Sequence, residues 1–176
     1  RKDRRAALKI LDLGTGTGCL LLALLHEFPA ATGIGIDNSA GALLVAGANA
    51  ANLCLANRAA FQLGDWTDGV VGPFDIIISN PPYIRSDDIE TLMPEVARYD
   101  PRGALDGGRD GLDCYRHLGQ GIANLLSESG IAVIEIGADQ EQAASVILTS
   151  GGLLVRARHH DLAGRVRALV LGNKTV

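Results

Sequence analysis

Two stretches of this chain gather residues able to do chemistry, and each closes an apolar run. The first is Asn80-Pro81-Pro82-Tyr83, directly after residues 74–79. A side-chain amide offers a carbonyl acceptor and an NH2 donor. Prolines have no N–H, fix φ and hold the preceding residue extended. The turn thus presents acceptors, the Asn80 side-chain oxygen and the Pro81 carbonyl, and few donors. Such a turn suits a substrate NH2 group, with Tyr83 as a flat face against which a planar amide or base lies. The bland alternative is a strand running into a Pro-Pro turn, with an Asn cap and a core Tyr.

The second stretch is Asp12-Leu13-Gly14-Thr15-Gly16-Thr17-Gly18, after the apolar run 8–13. Glycines there permit a tight turn and let backbone approach a ligand. The spacing is Gly-x-Gly-x-Gly, not the Gly-x-Gly-x-x-Gly of dinucleotide sites. A tight turn alone is the competing reading. Asp37 lies about 20 residues beyond the glycines, at a strand end where an acid can accept both ribose hydroxyls; it also reads as a helix cap before Asn38-Ser39. Asp65-Trp66 offers an acceptor for an adenine amino group and an aromatic edge, unless Trp66 only fills the core. Asp12 is an acid on an apolar strand and needs a partner when buried, which an ammonium group supplies. A cofactor with ribose, adenine and ammonium but no phosphate fits this set, and S-adenosylmethionine is such a cofactor.

These stretches need a scaffold that brings strand ends together. Strand patterns at 8–13, 32–37, 60–64, 74–79 and 130–137 alternate with helical ones at 18–28, 39–53, 111–127 and 139–149. Ser39 is placed to cap the second helix. Residues 153–159 and 165–171 read as a closing strand pair, and 84–110 as a long irregular polar stretch of the kind that often carries function. Alternating β and α with nearly continuous apolar strands predicts an α/β, doubly wound, mainly parallel sheet covered on both faces. Ligands of such sheets bind outside the carboxyl ends of the strands.

The 176 residues suit one domain, expected to span residues 1–176. A hydrophobic content of 47% and charged content of 20% mark a globular chain. No apolar stretch reaches the ~20 residues of a membrane span, and no signal peptide is evident, so a cytoplasmic location is expected. Cys19, Cys54 and Cys114 lack Cys-x-x-Cys spacing and are expected to be reduced and buried. His26, His117, His159 and His160 show no ligand spacing, and no metal is expected. The net charge is −4, and Arg58 is the one Lys or Arg between residues 10 and 83. That composition disfavours a nucleic-acid partner, which calls for a basic stripe.

Taken together, Asp12 to Gly18, Asp37, Asp65-Trp66 and Asn80 to Tyr83 resemble class I S-adenosylmethionine-dependent methyltransferases. The segment Tyr99-Asp100-Pro101-Arg102-Gly103-Ala104-Leu105-Asp106-Gly107-Gly108-Arg109-Asp110-Gly111-Leu112 resembles the N5-glutamine methyltransferases of peptide chain release factors, the PrmC/HemK family. The resemblance implies a seven-stranded Rossmann-like sheet with a closing antiparallel strand. It also implies methyl transfer to a glutamine side-chain amide of a release factor, an event tied to translation termination. Asn80, Pro81 and Tyr83 would be catalytic; Asn80, Pro81, Pro82 and Tyr83 would bind substrate. Asp12, Gly14, Thr15, Gly16, Thr17, Gly18, Asp37, Asp65, Trp66 and Asn80 would bind cofactor. The family's N-terminal helical domain is not represented in this sequence. Ser39-Ala40-Gly41 stands where many relatives have Ser-Pro-Glu, predicting a weaker helix start. In 84–110, Asp110 and Asp113 are expected to cap the next helix, and Glu95, Arg98 and Arg109 to order the loop or meet the substrate protein. The rival activity is an amino-methyltransferase of nucleic acid, at adenine N6 or guanine N2, which needs a channel for a flipped base. A nucleotide-binding module without chemistry is a third reading, opposed by the glycine spacing and the Asn80 turn.

Overall fold

A computed structural model describes residues 3–174, without the side chains of Ala97 and Arg98. Seven strands form one sheet: β1 Lys9–Leu13, β2 Thr32–Asp37, β3 Ala59–Leu63, β4 Phe74–Ser79, β5 Leu126–Glu135, β6 Leu153–His160 and β7 Val166–Asn173. Their order is β3-β2-β1-β4-β5-β7-β6. The pairs from β3 through β5 are parallel, and β7 runs antiparallel to both β5 and β6. The expected doubly wound sheet with a closing antiparallel strand is therefore present.

The order reverses between β1 and β4, so the loops after these neighbours diverge and leave a crevice. Ile76, Ile77 and Ile78 of β4 are all buried, because helices cover both faces. Helix α1 (Cys19–Glu27) packs Leu21, Leu22 and Leu25 with Ile10, Ile76 and Ile78 on one side. Helix α2 (Ala40–Asn52) adds Ala50 to that cluster. On the other side α4 (Asp113–Leu125) buries Tyr115, Leu118, Ile122 and Leu125 at helical spacing against Leu11, Leu13 and Ile77. Helix α5 (Glu141–Thr149) joins them through Ala144 and Leu148.

Several local expectations need correction. Residues 84–110 are not irregular throughout: they form a 3-10 turn at Ser86–Thr91, the short helix α3 (Pro94–Tyr99) and a second 3-10 turn at Arg102–Ala104. Strand β5 starts four residues early, since Phe74 pairs with Leu126 before a register shift, and the Ser127 hydroxyl donates to Asp75 Oδ1 at 3.1 Å. Helix α4 starts at Asp113 behind Leu112, with no side-chain cap. Asp110 instead accepts the Leu112 amide at 3.1 Å, and Arg116 holds both Asp110 and Asp113. Of the cysteines only Cys114 is buried; Cys19 opens α1 and Cys54 follows α2 at φ 58, both at the surface. Ser39 does cap α2, its hydroxyl accepting the Ala42 amide at 3.3 Å.

Candidate active site

The loops following β1, β2, β3 and β4 meet outside the strand ends around a cavity of about 320 Å³, within the size range of small-molecule sites. Its walls carry Gly14, Gly16 and Thr17 from the first loop, Asp37 and Ser39 from the second, and Asp65 and Trp66 from the third. Asn80 and Pro82 come from the fourth.

Local conformation explains the first loop. Gly14, Gly16 and Gly18 all have positive φ (69, 56 and 79°), a region costly for residues with a Cβ. At Gly18 a Cβ would also lie 3.2 Å from Ala46 Cβ and from the Phe61 ring. The Gly14 and Thr15 amides both donate to the Ile36 carbonyl at 2.9 Å, which ties the loop to β2. The Gly16 amide donates to Asp37 Oδ2 at 2.7 Å, and the Ser39 amide to Asp37 Oδ1 at 2.9 Å. Asp37 thus organises both its own helix start and the glycine loop, while each oxygen keeps lone-pair capacity. Trp66, at φ 47°, lines the cavity and also packs against the core, its ring 3.4 Å from where a Gly14 Cβ would be.

Asp12 lies beneath the loop and not in the cavity wall. It is 1% exposed; its Oδ2 accepts the Thr15 hydroxyl at 2.7 Å, and its Oδ1 has no partner among the described residues. Burial pushes its carboxyl up to about 6, against the opposing pull of the Thr15 hydroxyl and the Leu21 amide. Thr15 is buried beside it, and Gly35 is needed there because a Cβ would stand 2.7 Å from Thr15 Oγ1. Thr15 and Gly18 shape the loop from below.

At the second stretch, Asn80 is exposed, and its side chain makes no hydrogen bond to any described residue. Nor does a described residue donate to the Pro81 carbonyl. Tyr83 is placed differently from its expected role as a face for an amide. Its ring does not line the cavity: the Arg167 guanidinium sits 5.3 Å above it, and its hydroxyl accepts from Arg167 at 2.8 Å and donates to Glu135 Oε1 at 3.1 Å. Burial and the Glu135 charge push the Tyr83 phenol up. The cause is topological: β5, which carries Glu135, pairs with β4, and β7, which carries Arg167, lies one strand further on beside β5.

Sequence reasoning missed one wall. Pro101, Gly103 and Ala104 complete the cavity lining. They are brought there because Ile84 pairs with Asp106, with Ile84 N donating to Leu105 O at 3.0 Å and Gly107 N to Ile84 O at 2.8 Å. Asp106 accepts from the Ser86 hydroxyl, the Gly108 amide and Arg102, bonds that hold its carboxyl below its ordinary value. The Asp-Pro…Ala-Leu-Asp-Gly-Gly run carried that signal, but only as a likeness. Glu95 and Arg109 are exposed, the Arg109 side chain lying with Arg85 and Arg116 around a separate surface hollow. The Arg98 side chain lies outside the described residues.

Comparison with known proteins bears on family and fold. The family described as "Methyltransferase domain" matches residues 4–154. A release factor glutamine methyltransferase of Rhodospirillum rubrum is 52% identical over 162 residues, covering 92% of this chain and 50% of that protein. One of Caulobacter vibrioides is 49% identical over 169 residues, covering 96% of this chain and 58% of that protein. The chain therefore spans about half the length of these curated relatives. Among solved structures, a ribosomal protein L11 methylase of Lactobacillus delbrueckii aligns with a TM-score of 0.67 at 22% identity, covering 97% of this chain and 72% of that one. TrmN of Thermus thermophilus aligns at 0.68 and 17%, covering 97% and 45%; both show the shared fold. The chain belongs to the methyltransferase-domain family, and the two curated relatives described above are named release factor glutamine methyltransferases.

Proposed function

We propose that this chain is a single S-adenosylmethionine-dependent methyltransferase domain that methylates the side-chain amide nitrogen of a glutamine in a peptide chain release factor. One observation carries the reading. An unengaged carboxamide, Asn80, stands in the wall of the same cavity as the glycine loop and Asp37. Asp37 would hold the ribose hydroxyls, Asp65 and Trp66 the adenine, and Gly14, Gly16 and Thr17 the backbone-facing side of the cofactor. Gly18 and Thr15 set the loop. Asp12, with its orphaned Oδ1, places negative charge under that loop, where a cofactor ammonium is favoured. When bound, S-adenosylmethionine supplies an electrophilic methyl group.

The chain's own task is to present the acceptor. An amide nitrogen is a poor nucleophile because its lone pair is delocalised. The Asn80 side-chain oxygen and the Pro81 carbonyl accept the two N–H bonds of the incoming amide, aim its nitrogen into the cavity and stabilise positive charge developing on it. Pro82 keeps the turn rigid. The proton leaves after transfer, so no base is required beforehand. Tyr83 ties the turn to β5 and β7 through Glu135 and Arg167. The names of the relatives support a release factor as partner, and translation termination implies the cytoplasm; among the described residues no helix is long and apolar enough to cross a membrane.

The test is Asn80→Ala, assayed with labelled S-adenosylmethionine, a purified release factor and nucleic acid as competitor acceptor. Turnover should vanish while cofactor affinity stays within a few fold, and peptide mass spectrometry should place the methyl on a glutamine. Near-normal methylation by the variant, or label in the nucleic acid, would overturn the reading.

A further inference from the structure

We propose that Gln140 is a positioning residue: its buried side-chain amide fixes the Asn80–Tyr83 turn in the pose that receives the substrate. The inference rests on the function proposed above and deepens it. Gln140 ends the loop between β5 and α5 and is 7% exposed. Its Nε2 donates to the Tyr83 carbonyl at 2.9 Å and to the Gly111 carbonyl at 3.2 Å. Its Oε1 accepts the Tyr115 hydroxyl at 2.9 Å and the Gly137 amide at 3.1 Å. All four bonding positions of the amide are thus in use.

The partners belong to four separate segments: the turn after β4, the loop ahead of α4, α4 itself and the exit of β5. A buried carbonyl and a part-buried one point at one spot and take two donors from a single group, while a hydroxyl and an amide approach from the other side. A carboxylate lacks the donors, an apolar side chain lacks both, and an ammonium lacks the acceptor. Among uncharged side chains an amide of this length meets the requirement.

Close approach is built into the backbone around it. A Cβ at Gly111 would stand 2.6 Å from both Gln140 Nε2 and the Tyr83 carbonyl oxygen, and one at Gly137 would stand 2.4 Å from Gln140 Oε1. At Gly107 it would stand 2.8 Å from Tyr83 Cα. These glycines leave room for the turn and the amide to meet. The mechanical link to the site is short. Tyr83 follows two prolines whose φ angles are locked, so fewer backbone torsions are left between the Tyr83 carbonyl and Asn80 to absorb a shift. Misplacement of about 1 Å at a reacting group can cost about 100-fold in rate.

The experiment compares the protein with Gln140→Met, which keeps length but removes every hydrogen bond, and with Tyr115→Phe, which removes one partner and leaves the core filled. Hydrogen exchange by mass spectrometry is read on peptides spanning 80–86 and 105–112, together with kcat, KM for the release factor and calorimetric affinity for S-adenosylmethionine. Gln140→Met should speed exchange in both peptides, lower kcat at least tenfold and leave cofactor affinity within about threefold; Tyr115→Phe should do the same more weakly. Unchanged exchange in those peptides, or a kcat within twofold in a folded variant whose melting temperature alone has dropped, would overturn the proposal. Should Gln140→Met fail to fold, Tyr115→Phe decides by the same two readouts. Absence of methyl transfer by the unaltered protein would instead sink the function reading, and the exchange arm would then decide Gln140's hold on the turn by itself.

Discussion

Asp12 makes the pH dependence of stability a quantitative test of the buried site. Its carboxyl is shifted from 3.8 to about 6 chiefly by burial. The unfolded chain therefore ionises Asp12 near pH 4, while the folded chain keeps the proton until about pH 6. Between these values the folded state binds more protons, so raising the pH works against folding. The cost is absent below pH 3.8, grows through the window and is complete above about 6. A shift of about two pH units corresponds to about 3 kcal/mol over the full span, and to about 2 kcal/mol between pH 4.5 and 7.5. Asp12→Asn removes the titration. The new amide still accepts the Thr15 hydroxyl but leaves a buried NH2 where Oδ1 was unpartnered, a cost of about 1–3 kcal/mol that does not vary with pH. The absolute stability of the variant is thus a poor readout, and the difference between the two proteins as a function of pH is the sound one. Urea unfolding of both from pH 4.5 to 7.5, without cofactor, should show that difference moving by about 2 kcal/mol in favour of the variant. A flat difference would mean that Asp12 is not the buried, proton-retaining group described here. Calorimetry at pH 7.5 adds the functional arm: loss of the charge under the loop should weaken S-adenosylmethionine binding, and equal affinity would remove Asp12 from the proposed site.

Asp37→Ala deletes the acceptor of both the Gly16 and Ser39 amides and the proposed ribose contact, so S-adenosylmethionine affinity should fall at least about tenfold; unchanged calorimetric affinity would exclude it. Gly18→Ala forces a side chain into φ 79° and against Ala46 and Phe61, with an expected loss of about 2 kcal/mol in urea unfolding. A loss under about 0.5 kcal/mol would show that the loop relaxes at no cost. Tyr83→Phe should leave the pattern of methylated sites unaltered, since the hydroxyl faces Arg167 and Glu135; a new acceptor residue in peptide mass spectra would contradict that placement.

The parallel sheet, the glycine loop and the position of Asn80 at the end of β4 were legible in the chain itself. Apolar runs buried on both faces are continuous in sequence, positive φ selects glycine residue by residue, and a carboxamide after a strand lands at the carboxyl end of that strand whatever else surrounds it. Ser39 as a cap is legible for the same reason, since its partner is three residues away. What depended on packing was not. Tyr83 turned toward Arg167, 84 residues distant, because β5 and then β7 follow β4 in the sheet order. The wall at Pro101–Ala104 exists because the chain after the turn pairs back with Asp106. Gln140 meets Tyr83 across 57 residues and Gly111 across 29, distances at which composition and periodicity carry no information about partners. Local conformational preference thus announced what the site holds, whereas the contacts that aim it arose only once the sheet had brought remote segments together.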